Sequence, residues 1–286
     1  MESIFHRLIY LDFLGLEEDC ISKQTSKILD EGIMEKKPII VHTMGRVGSS
    51  TVAFACDELD GYETYHTHFL NQQSIADLLR RAERRGRKIA PNISRSLVVL
   101  NDILPKTDEV KMITLVRDPV ARNLSGCFAN FLTKKPRSEG ALLTRQEVQD
   151  QFDQFYHDRP LWWFDRELKE ALEIDLLAHP FSKEDQFQRL KFGQIDLLAM
   201  QAELDDEIKL RVLQEFLGTN ELGLKRRNVH AKKDDRYGQF LQYAPVTSDY
   251  MDKFYDQPYV NHFYTTEAIA EFRKKWSSRV ENEASD

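Results

Sequence analysis

Two apolar runs in the sequence each lead, through a turn, directly into an amphipathic helical pattern. The first is PIIVHTMGRVGSST, residues 38–51, and the second is KMITLVRDPVARNLSGCF, residues 111–128. After the first turn, apolar residues recur with the spacing of one helix face. In the second, Asp118 and Pro119 have the residue types of a helix N-cap and first helical position. A strand, a turn and a helix in that order open a βαβ unit, so both segments predict an α/β fold.

Strand patterns recur along the chain, with helical patterns between them and after them. We predict strands at 38–43, 62–68, 111–116 and 194–200, and their near-continuous apolar character is typical of a parallel sheet covered on both faces. The C-terminal part is predicted to be helical, with one helix ending at Gly218 and another capped by Thr265 or Thr266. The expected architecture is a three-layer, P-loop-like α/β fold with a central parallel sheet flanked by helices and a helical C-terminal part.

The chain has 286 residues and a formal net charge of -7. No linker-like tract divides it, so we expect a single domain over 1–286, with an N-terminal helical segment at 1–36 and a lid insertion at 132–160. The negative charge disfavours nucleic acid as a partner. The apolar stretch at 1–19 is too short and too interrupted to be a transmembrane segment, and is predicted to be an amphipathic helix that packs on the domain or touches a membrane surface weakly.

Cysteine usage indicates the compartment. Cys20, Cys56 and Cys127 are odd in number, far apart and in apolar helical patterns. A disulfide framework or a cysteine zinc site is therefore disfavoured, and a reducing, cytoplasmic location is expected. The sequence leaves the oligomeric state open.

The first turn has the composition of an anion site. Gly45 and Gly48 allow close approach of the backbone, and residues 49–51 add hydroxyl donors at a helix N-terminus. It is not a nucleotide-triphosphate loop, because Gly48 is followed by Ser49 rather than lysine, and the positive charge is Arg46. The alternative is a tight turn whose serine merely caps the helix.

The second segment offers an arginine and a hydroxyl. Arg117 ends the apolar strand, and Ser125 follows it by eight positions, about two helical turns. A guanidinium fork and a hydroxyl at that spacing predict a second anion clamp.

Together the two segments resemble the sulfotransferase superfamily, which uses 3′-phosphoadenosine-5′-phosphosulfate as its donor co-substrate. MGRVGSST resembles the family's 5′-phosphosulfate loop, and VRDPVARNLSGCF resembles its 3′-phosphate site. The stretches FYTTEAIAEFRKKW and YHTHFL are similar to bacterial sulfotransferase-like proteins described as capsular polysaccharide synthesis proteins. Two departures, Arg46 in place of the lysine of soluble small-molecule enzymes and a late strand without the Arg-Tyr-Glu-Asp pattern, leave the acceptor class open.

The resemblance implies sites for the donor and for the transferring group. Arg46 would contact the transferring sulfuryl group, and Arg117 and Ser125 would bind the 3′-phosphate, with no metal required. The full set of predicted donor-binding residues is Gly45, Arg46, Val47, Gly48, Ser49, Ser50, Thr51, Arg117 and Ser125.

A general base is expected at the carboxyl end of the second strand, where open α/β sheets place ligands. His66 and His68 lie there, and we predict His68, with His66 as the second candidate. Both histidines are alternatively structural, and a zinc site with His42 as a third ligand is the remaining alternative.

Other segments have two interpretations each. The basic stretch 225–235 either closes over the donor or is a solvated loop, and 80–88 is either a solvated helix end or a guide for an acidic acceptor. Trp162 and Trp163 favour core or lid packing over a sugar platform.

The leading hypothesis is sulfuryl transfer to a hydroxyl or amine of a carbohydrate or small-molecule acceptor. The alternatives are an atypical P-loop kinase and a non-catalytic nucleotide-binding scaffold in capsular polysaccharide synthesis.

Overall fold

The computed structural model describes residues 36–134, 143–225 and 235–281. The strands of these residues form one five-stranded sheet in the order β2-β1-β3-β5-β4. The sheet is mostly parallel, because β4 alone of its strands runs antiparallel, beside β5. The strands are β1 Lys37–His42, β2 Tyr62–Thr67, β3 Val110–Val116, β4 Phe187–Phe192 and β5 Ile195–Gln201.

The expected α/β fold with a central sheet flanked by helices is confirmed, and the sheet, predicted to be parallel, is mostly parallel. The four predicted strands correspond to β1, β2, β3 and β5, each within about one residue of its predicted ends. Every residue of β5 is buried, and so are all but one of β3. Strands buried in both alternating directions must be covered on both faces, which is what the near-continuous apolar runs predict.

Strand β4 was not predicted from the sequence. Gly193, with φ 54°, and Gln194 form a two-residue turn that pairs Phe192 with Ile195 and folds β4 back on β5. Its pattern alternates half-buried apolar residues with the exposed Arg189 and Lys191, as expected of an edge strand with one covered face. The predicted all-parallel sheet therefore gains an antiparallel edge.

The helices of the described residues connect the strands and follow the sheet. They are α1 Ser49–Asp57, α2 Gln72–Arg84, α3 Pro91–Val98, α4 Pro119–Lys134, α5 Arg145–Gln154, α6 Arg159–Phe164, α7 Asp206–Leu217, α8 Asp235–Tyr243, α9 Ser248–Tyr255, α10 Pro258–Phe263 and α11 Thr266–Glu281. Helices α3 and α6 continue as π-helical turns over Val99–Ile103 and Asp165–Glu170, and a short 3₁₀ turn covers Leu176–Ala178.

Local sequence signals set several helix ends. Gly218 ends α7 in the left-handed conformation, and the Thr265 hydroxyl accepts the N–H of Ala268 at the start of α11. Both predicted caps are confirmed. The apolar stripes predicted for α1 and α4 are buried, and one continuous hydrophobic cluster runs from β1 to Trp276 in α11.

Two predicted segments lie wholly or partly outside the described residues. Of the insertion at 132–160, residues 135–142 are not described, and the N-terminal segment is described only at residue 36. Helix α5 begins with a Thr144–Glu147 capping box and buries Val148 and Phe152, so this part of the predicted insertion packs in the core. Most of the basic stretch 225–235 is also outside.

Two further observations concern the described residues alone. None of their helices is long and apolar enough to cross a membrane. Cys56 and Cys127 are buried and form no disulfide with a described residue.

The strand order places the ends of three strands side by side. β1 lies between β2 and β3, so the chain leaves β1 in one direction to form β2 and returns to its other side to form β3. Such a topological switch point leaves a crevice at the carboxyl ends of the strands, where ligands bind in open α/β sheets. The turn after β1, the end of β2 and Arg117 after β3 meet at this crevice.

Candidate functional site

The turn between β1 and α1 has an unusual backbone. Gly45, Arg46 and Gly48 all have positive φ, at 76°, 64° and 81°. For Arg46 this conformation is rare, because its Cβ is crowded there. Gly48 is the N-cap of α1 and provides no side-chain cap. The serine that follows is therefore not the cap of this helix, which argues against the interpretation of the turn as merely serine-capped.

The carbonyl oxygens of four consecutive turn residues, 43–46, all accept hydrogen bonds from side chains of other elements. The donors are His68 Nδ1 to Thr43 O at 2.9 Å, Arg159 Nη1 and Arg122 Nη2 to Met44 O at 3.3 and 3.4 Å, Arg122 Nε to Gly45 O at 3.3 Å, and Arg117 Nη1 to Arg46 O at 2.7 Å. These bonds fix the direction of the peptide dipoles along the turn.

The N–H groups of the same turn have no such partners. Within the described residues, none of the N–H groups from Gly45 to Ser50 donates a hydrogen bond to the protein. Successive unpaired N–H groups in left-handed and right-handed residues form a concave anion site, and the helix dipole of α1 adds positive potential. The turn is therefore built to hold an anion such as a phosphate or sulfate group.

Cations surround this turn, and carboxylates do not neutralise them. Arg122 is 2% exposed, and among the described residues its guanidinium bonds only carbonyl oxygens of the turn and the side chain of Asn123. Burial lowers its pKa to about 9, and the nearby charges of Arg159 and Arg46 act in the same direction. Within the described part of the chain, no ion pair includes Arg46, Arg122 or Arg159. A bound anion would relieve this accumulation of positive charge.

The second predicted clamp is brought to the first turn, although not as two free ligands. Arg117 is half-buried and reaches the turn through its bond to Arg46 O. Ser125 is half-buried in α4, next to Gly126, where a Cβ would lie 2.8 Å from the ring of Phe155 and 3.7 Å from Cγ of Arg46. Arg46 therefore spans from the turn to the Ser125 region of α4.

His68 lies over the first turn with one ring nitrogen fixed. Because the Thr43 carbonyl can only accept, Nδ1 of His68 carries the proton, and Nε2 is left with its lone pair. A Cβ on Gly45 would lie 3.5 Å from this Nε2, so the ring stands directly beside the anion-binding turn. Burial lowers the pKa of His68 to about 4, and the charges of Arg159 and Arg46 contribute to the shift. His68 is therefore a neutral imidazole at pH 7.

His66 is engaged differently. Its Nε2 is 2.9 Å from the hydroxyl of Ser49, which also accepts from the Thr43 hydroxyl at 3.0 Å. Burial lowers the pKa of His66 to about 4, and its ring meets that of His68 edge to face at 4.8 Å. The buried hydroxyl of Ser49 is thus used to hold His66 against the turn, whereas Ser50 is exposed and Thr51 half-buried at the start of α1.

His42 belongs to the core rather than to the crevice. It is fully buried, its Nε2 donates to Glu167 O at 3.2 Å, and its Nδ1 is 2.9 Å from the hydroxyl of Thr67. Burial lowers its pKa to about 3. In the part of the chain that the structure describes, no group of three or more His, Cys, Asp or Glu side chains could hold a metal ion.

The start of α4 is anchored from below by the C-terminal helices. Asp118 is buried, and its carboxylate accepts from Val120 N, Tyr255 Oη and Trp276 Nε1 at 2.8–2.9 Å. Glu203 accepts from the N–H of Asp118 at 3.0 Å. These bonds hold the strand-to-helix turn that carries Arg117.

Sequence reasoning missed Arg122, Arg159, Thr43 and Phe155. Arg122 is within the RDPVARNLS segment, and a charged residue next to the apolar stripe of α4 is the one signal that pointed to it. Nothing local marks Arg159, which reaches Met44 across 115 positions of sequence. Val47, predicted as a donor-binding residue, has its side chain in the core and offers the crevice only its backbone N–H.

Comparison with known proteins finds no family model that matches the sequence, and no similar curated protein or solved structure. The geometry of the crevice is therefore what supports a function.

Proposed function

We propose that the protein is a sulfotransferase that moves a sulfuryl group from 3′-phosphoadenosine-5′-phosphosulfate to a hydroxyl or amine of a carbohydrate or small-molecule acceptor. The observation that carries the proposal is the pairing of an open N–H turn with a neutral histidine beside it. The turn from Gly45 to Ser50 offers unpaired N–H donors, and Nε2 of His68 faces the same turn.

The described residues fit the anionic donor. The N–H turn and the dipole of α1 suit its 5′-phosphosulfate, and the exposed Arg46 lies at the mouth of the turn. Arg117 and Ser125 flank the path from the turn along α4, where the 3′-phosphate would be held. Catalysis of this kind depends on position and electrostatics, so fixed N–H groups and guanidinium groups supply what it needs.

His68 has the tautomer that a general base requires. Transfer forms a bond from the acceptor oxygen to sulfur and breaks the bond from sulfur to the donor's 5′-phosphate oxygen, while the acceptor proton passes to Nε2 of His68. In the free protein burial keeps the pKa of His68 at about 4. A donor anion in the turn would raise the pKa of His68 toward the range where a base works at neutral pH.

The test is calorimetric titration without metal, using 3′,5′-adenosine bisphosphate and 5′-adenosine monophosphate. We expect the bisphosphate to bind at least about 10-fold more tightly, a difference of about 1.4 kcal/mol, and Arg117→Ala to remove the preference. Arg211→Gln, on the exposed surface of α7, serves as the matched control. Equal affinity for both nucleotides would overturn the donor assignment. Nucleotide binding that requires added magnesium would favour the alternative of an atypical P-loop kinase.

A second measurement separates catalysis from binding alone. With labelled donor and a pool of carbohydrate acceptors, His68→Gln should retain binding of the bisphosphate and lose transfer by at least about 100-fold. Donor binding without any transfer by the unaltered protein would favour the scaffold.

A further inference from the structure

An arginine and aromatic surface lies beside His68. Arg159 stacks on the ring of Phe69 at 5.1 Å, and Arg166 stacks on the ring of Trp162 at 5.0 Å. The indole N–H of Trp162 donates to the hydroxyl of Tyr156 at 2.9 Å, and Trp162 packs on the small hydrophobic cluster that includes Phe69. These five residues are the arginine-aromatic face.

The face is rigidly attached to the end of β2. The carboxylate of Glu167 accepts the N–H groups of Leu70 and Asn71 at 2.7 and 2.8 Å. The indole N–H of Trp163 donates to His68 O at 3.0 Å. The segment that carries Arg159 and Trp162 is thus held at a fixed position relative to His68.

Arg159 has no anionic partner within the described residues. Its Nε is buried without a hydrogen-bond partner, and Nη1 has only the long bond to Met44 O at 3.3 Å. Arg122 donates to the same carbonyl, so a second guanidinium lies next to it. The carboxylate of Glu167 opposes the lowering of the Arg159 pKa by burial but forms no ion pair with it within the described residues. Its Oε2 accepts two backbone N–H groups, and its Oε1 is buried without a hydrogen-bond partner among the same residues. A half-buried guanidinium in this setting gains from an external anion.

The exposed parts of the face are aromatic. Tyr156 is 59% exposed, and Trp162 is half-buried. Aromatic rings can pack against the C–H face of a sugar, and the Tyr156 hydroxyl, which accepts the indole N–H of Trp162, keeps its own proton to donate. A guanidinium beside such rings pairs with a planar carboxylate through two parallel bonds. Carboxylate and sugar ring together describe a uronic acid.

We propose that the acceptor is an acidic carbohydrate and that Arg159 binds the carboxylate of a uronic acid unit on the arginine-aromatic face. The inference rests on the proposed transferase function. Arg159 and His68 bond consecutive carbonyls, those of Met44 and Thr43. A carboxylate on Arg159 therefore places a hydroxyl of the same or the adjacent sugar unit next to Nε2 of His68.

The experiment uses the full chain saturated with 3′,5′-adenosine bisphosphate. It is titrated with a galacturonate tetrasaccharide, with a glucuronate-containing tetrasaccharide and with the methyl ester of each. Tryptophan fluorescence reports binding, since Trp162 is half-buried on the face whereas Trp163 and Trp276 are buried. We expect at least one acid to bind about 10-fold or more tightly than its neutral ester.

Variants assign the effect to Arg159. Arg159→Gln should weaken the acid by about 10-fold or more and leave the ester unchanged, and Arg159→Lys should restore only part of the loss because the fork is missing. Arg166→Gln should have a smaller effect, and Arg211→Gln none. A cooperative urea unfolding transition shows that each variant is folded, and each is titrated at a bisphosphate concentration that saturates it, because Arg159 also bonds the turn. Should Arg159→Gln fail to fold, the comparison of acid with ester still tests the proposal.

The two proposals can fail separately. The acidic acceptor is overturned, and the donor site left standing, if the protein binds the bisphosphate but fails any of three tests. These failures are equal affinity for acid and ester, no binding of either acid, and an Arg159→Gln variant that binds the acid as well as the unaltered protein does. The donor assignment is overturned, and the carboxylate site supported, if the acid binds through Arg159 but the protein does not distinguish the bisphosphate from the monophosphate.

Discussion

The two strand-to-helix turns look alike in sequence and do different things in the structure. At the first, the N-cap is Gly48, which has no side chain, and the N–H groups before and within the helix start are left open. At the second, the carboxylate of Asp118 accepts the N–H of Val120 and also binds Tyr255 and Trp276. The first helix N-terminus is available to a ligand, and the second is filled by the protein itself.

The difference explains why the first turn can bind an external anion and why the second segment supports the first turn. An internal carboxylate at the start of α4 leaves no place for an external anion there, so the second segment contributes side chains instead. Arg117 and Arg122 extend from it to the carbonyls of the first turn and hold its N–H groups outward. The two segments form one site, because the arginines of the second segment orient the backbone of the first turn.

The largest expected effect comes from removing the internal anion. Asp118→Ala leaves the N–H of Val120, the hydroxyl of Tyr255 and the indole of Trp276 without their acceptor, so we expect a loss of about 3–4 kcal/mol in the free energy of unfolding. Gly48→Ala, at the corresponding position of the first turn, should cost only about 1–2 kcal/mol of left-handed strain. Urea unfolding measures both. Equal losses would show that the second turn has no special anchor.

The next effect tests whether the first turn is open. Gly48→Asp places a carboxylate where the ligand anion would bind, and we expect the affinity for 3′,5′-adenosine bisphosphate to fall by about 100-fold, or about 2.7 kcal/mol. Gly48→Asn has a similar shape without the charge and should lose much less. Gly218→Asp is the matched control for backbone strain, since Gly218 is also left-handed and a Cβ there would have nothing within 4 Å of it. Unchanged affinity in Gly48→Asp would mean that the anion does not bind at this turn.

A smaller effect distinguishes the support that Arg122 gives to the first turn from a contribution to folding. Arg122→Met removes a buried charge and fills a similar volume, so the free energy of unfolding should change by less than about 1.5 kcal/mol. The carbonyl of Gly45 loses its donor, that of Met44 loses one of two, and the turn loses a nearby positive charge. Bisphosphate affinity should therefore fall by about 10-fold, measured by calorimetry on the folded variant. A large stability loss with unchanged affinity would make Arg122 a structural residue only.

Much of the framework followed from local sequence. The strands, the N-cap at Asp118, the C-cap at Gly218 and the glycine turn depend on neighbouring residues, and periodicity or residue type indicates them. His68 was predicted because it lies near the carboxyl end of a strand, where open α/β sheets place ligands, and the structure places it beside Gly45. Its role as base remains a prediction.

The rest depended on contacts that no short window contains. Arg159 and Met44 meet only because the segment after α5 returns over the end of β2. Strand β4 is short and has one covered face, so its apolar signal is weak beside that of β5. The orientation of the carbonyls in the first turn is set together by side chains that follow β2, follow β3, lie in α4 and begin α6. It becomes visible only when these elements are assembled.

The smallest expected effect is on the pH dependence of the free energy of unfolding, and it concerns the first turn. Neutral imidazoles lie around the first turn, where burial lowers the pKa of His66 and of His68 to about 4. Between that value and the ordinary histidine pKa of about 6.5, the unfolded chain binds protons that the folded chain does not, so stability rises with pH across this interval. His66→Gln should reduce the slope of unfolding free energy against pH by at most about 1.4 kcal/mol per pH unit, measured in urea from about pH 4.5 to 7. Parallel curves for the variant and the unaltered protein would show that the pKa of His66 is the same in the folded and unfolded states. Below that pKa the ring would donate the hydrogen bond to Ser49.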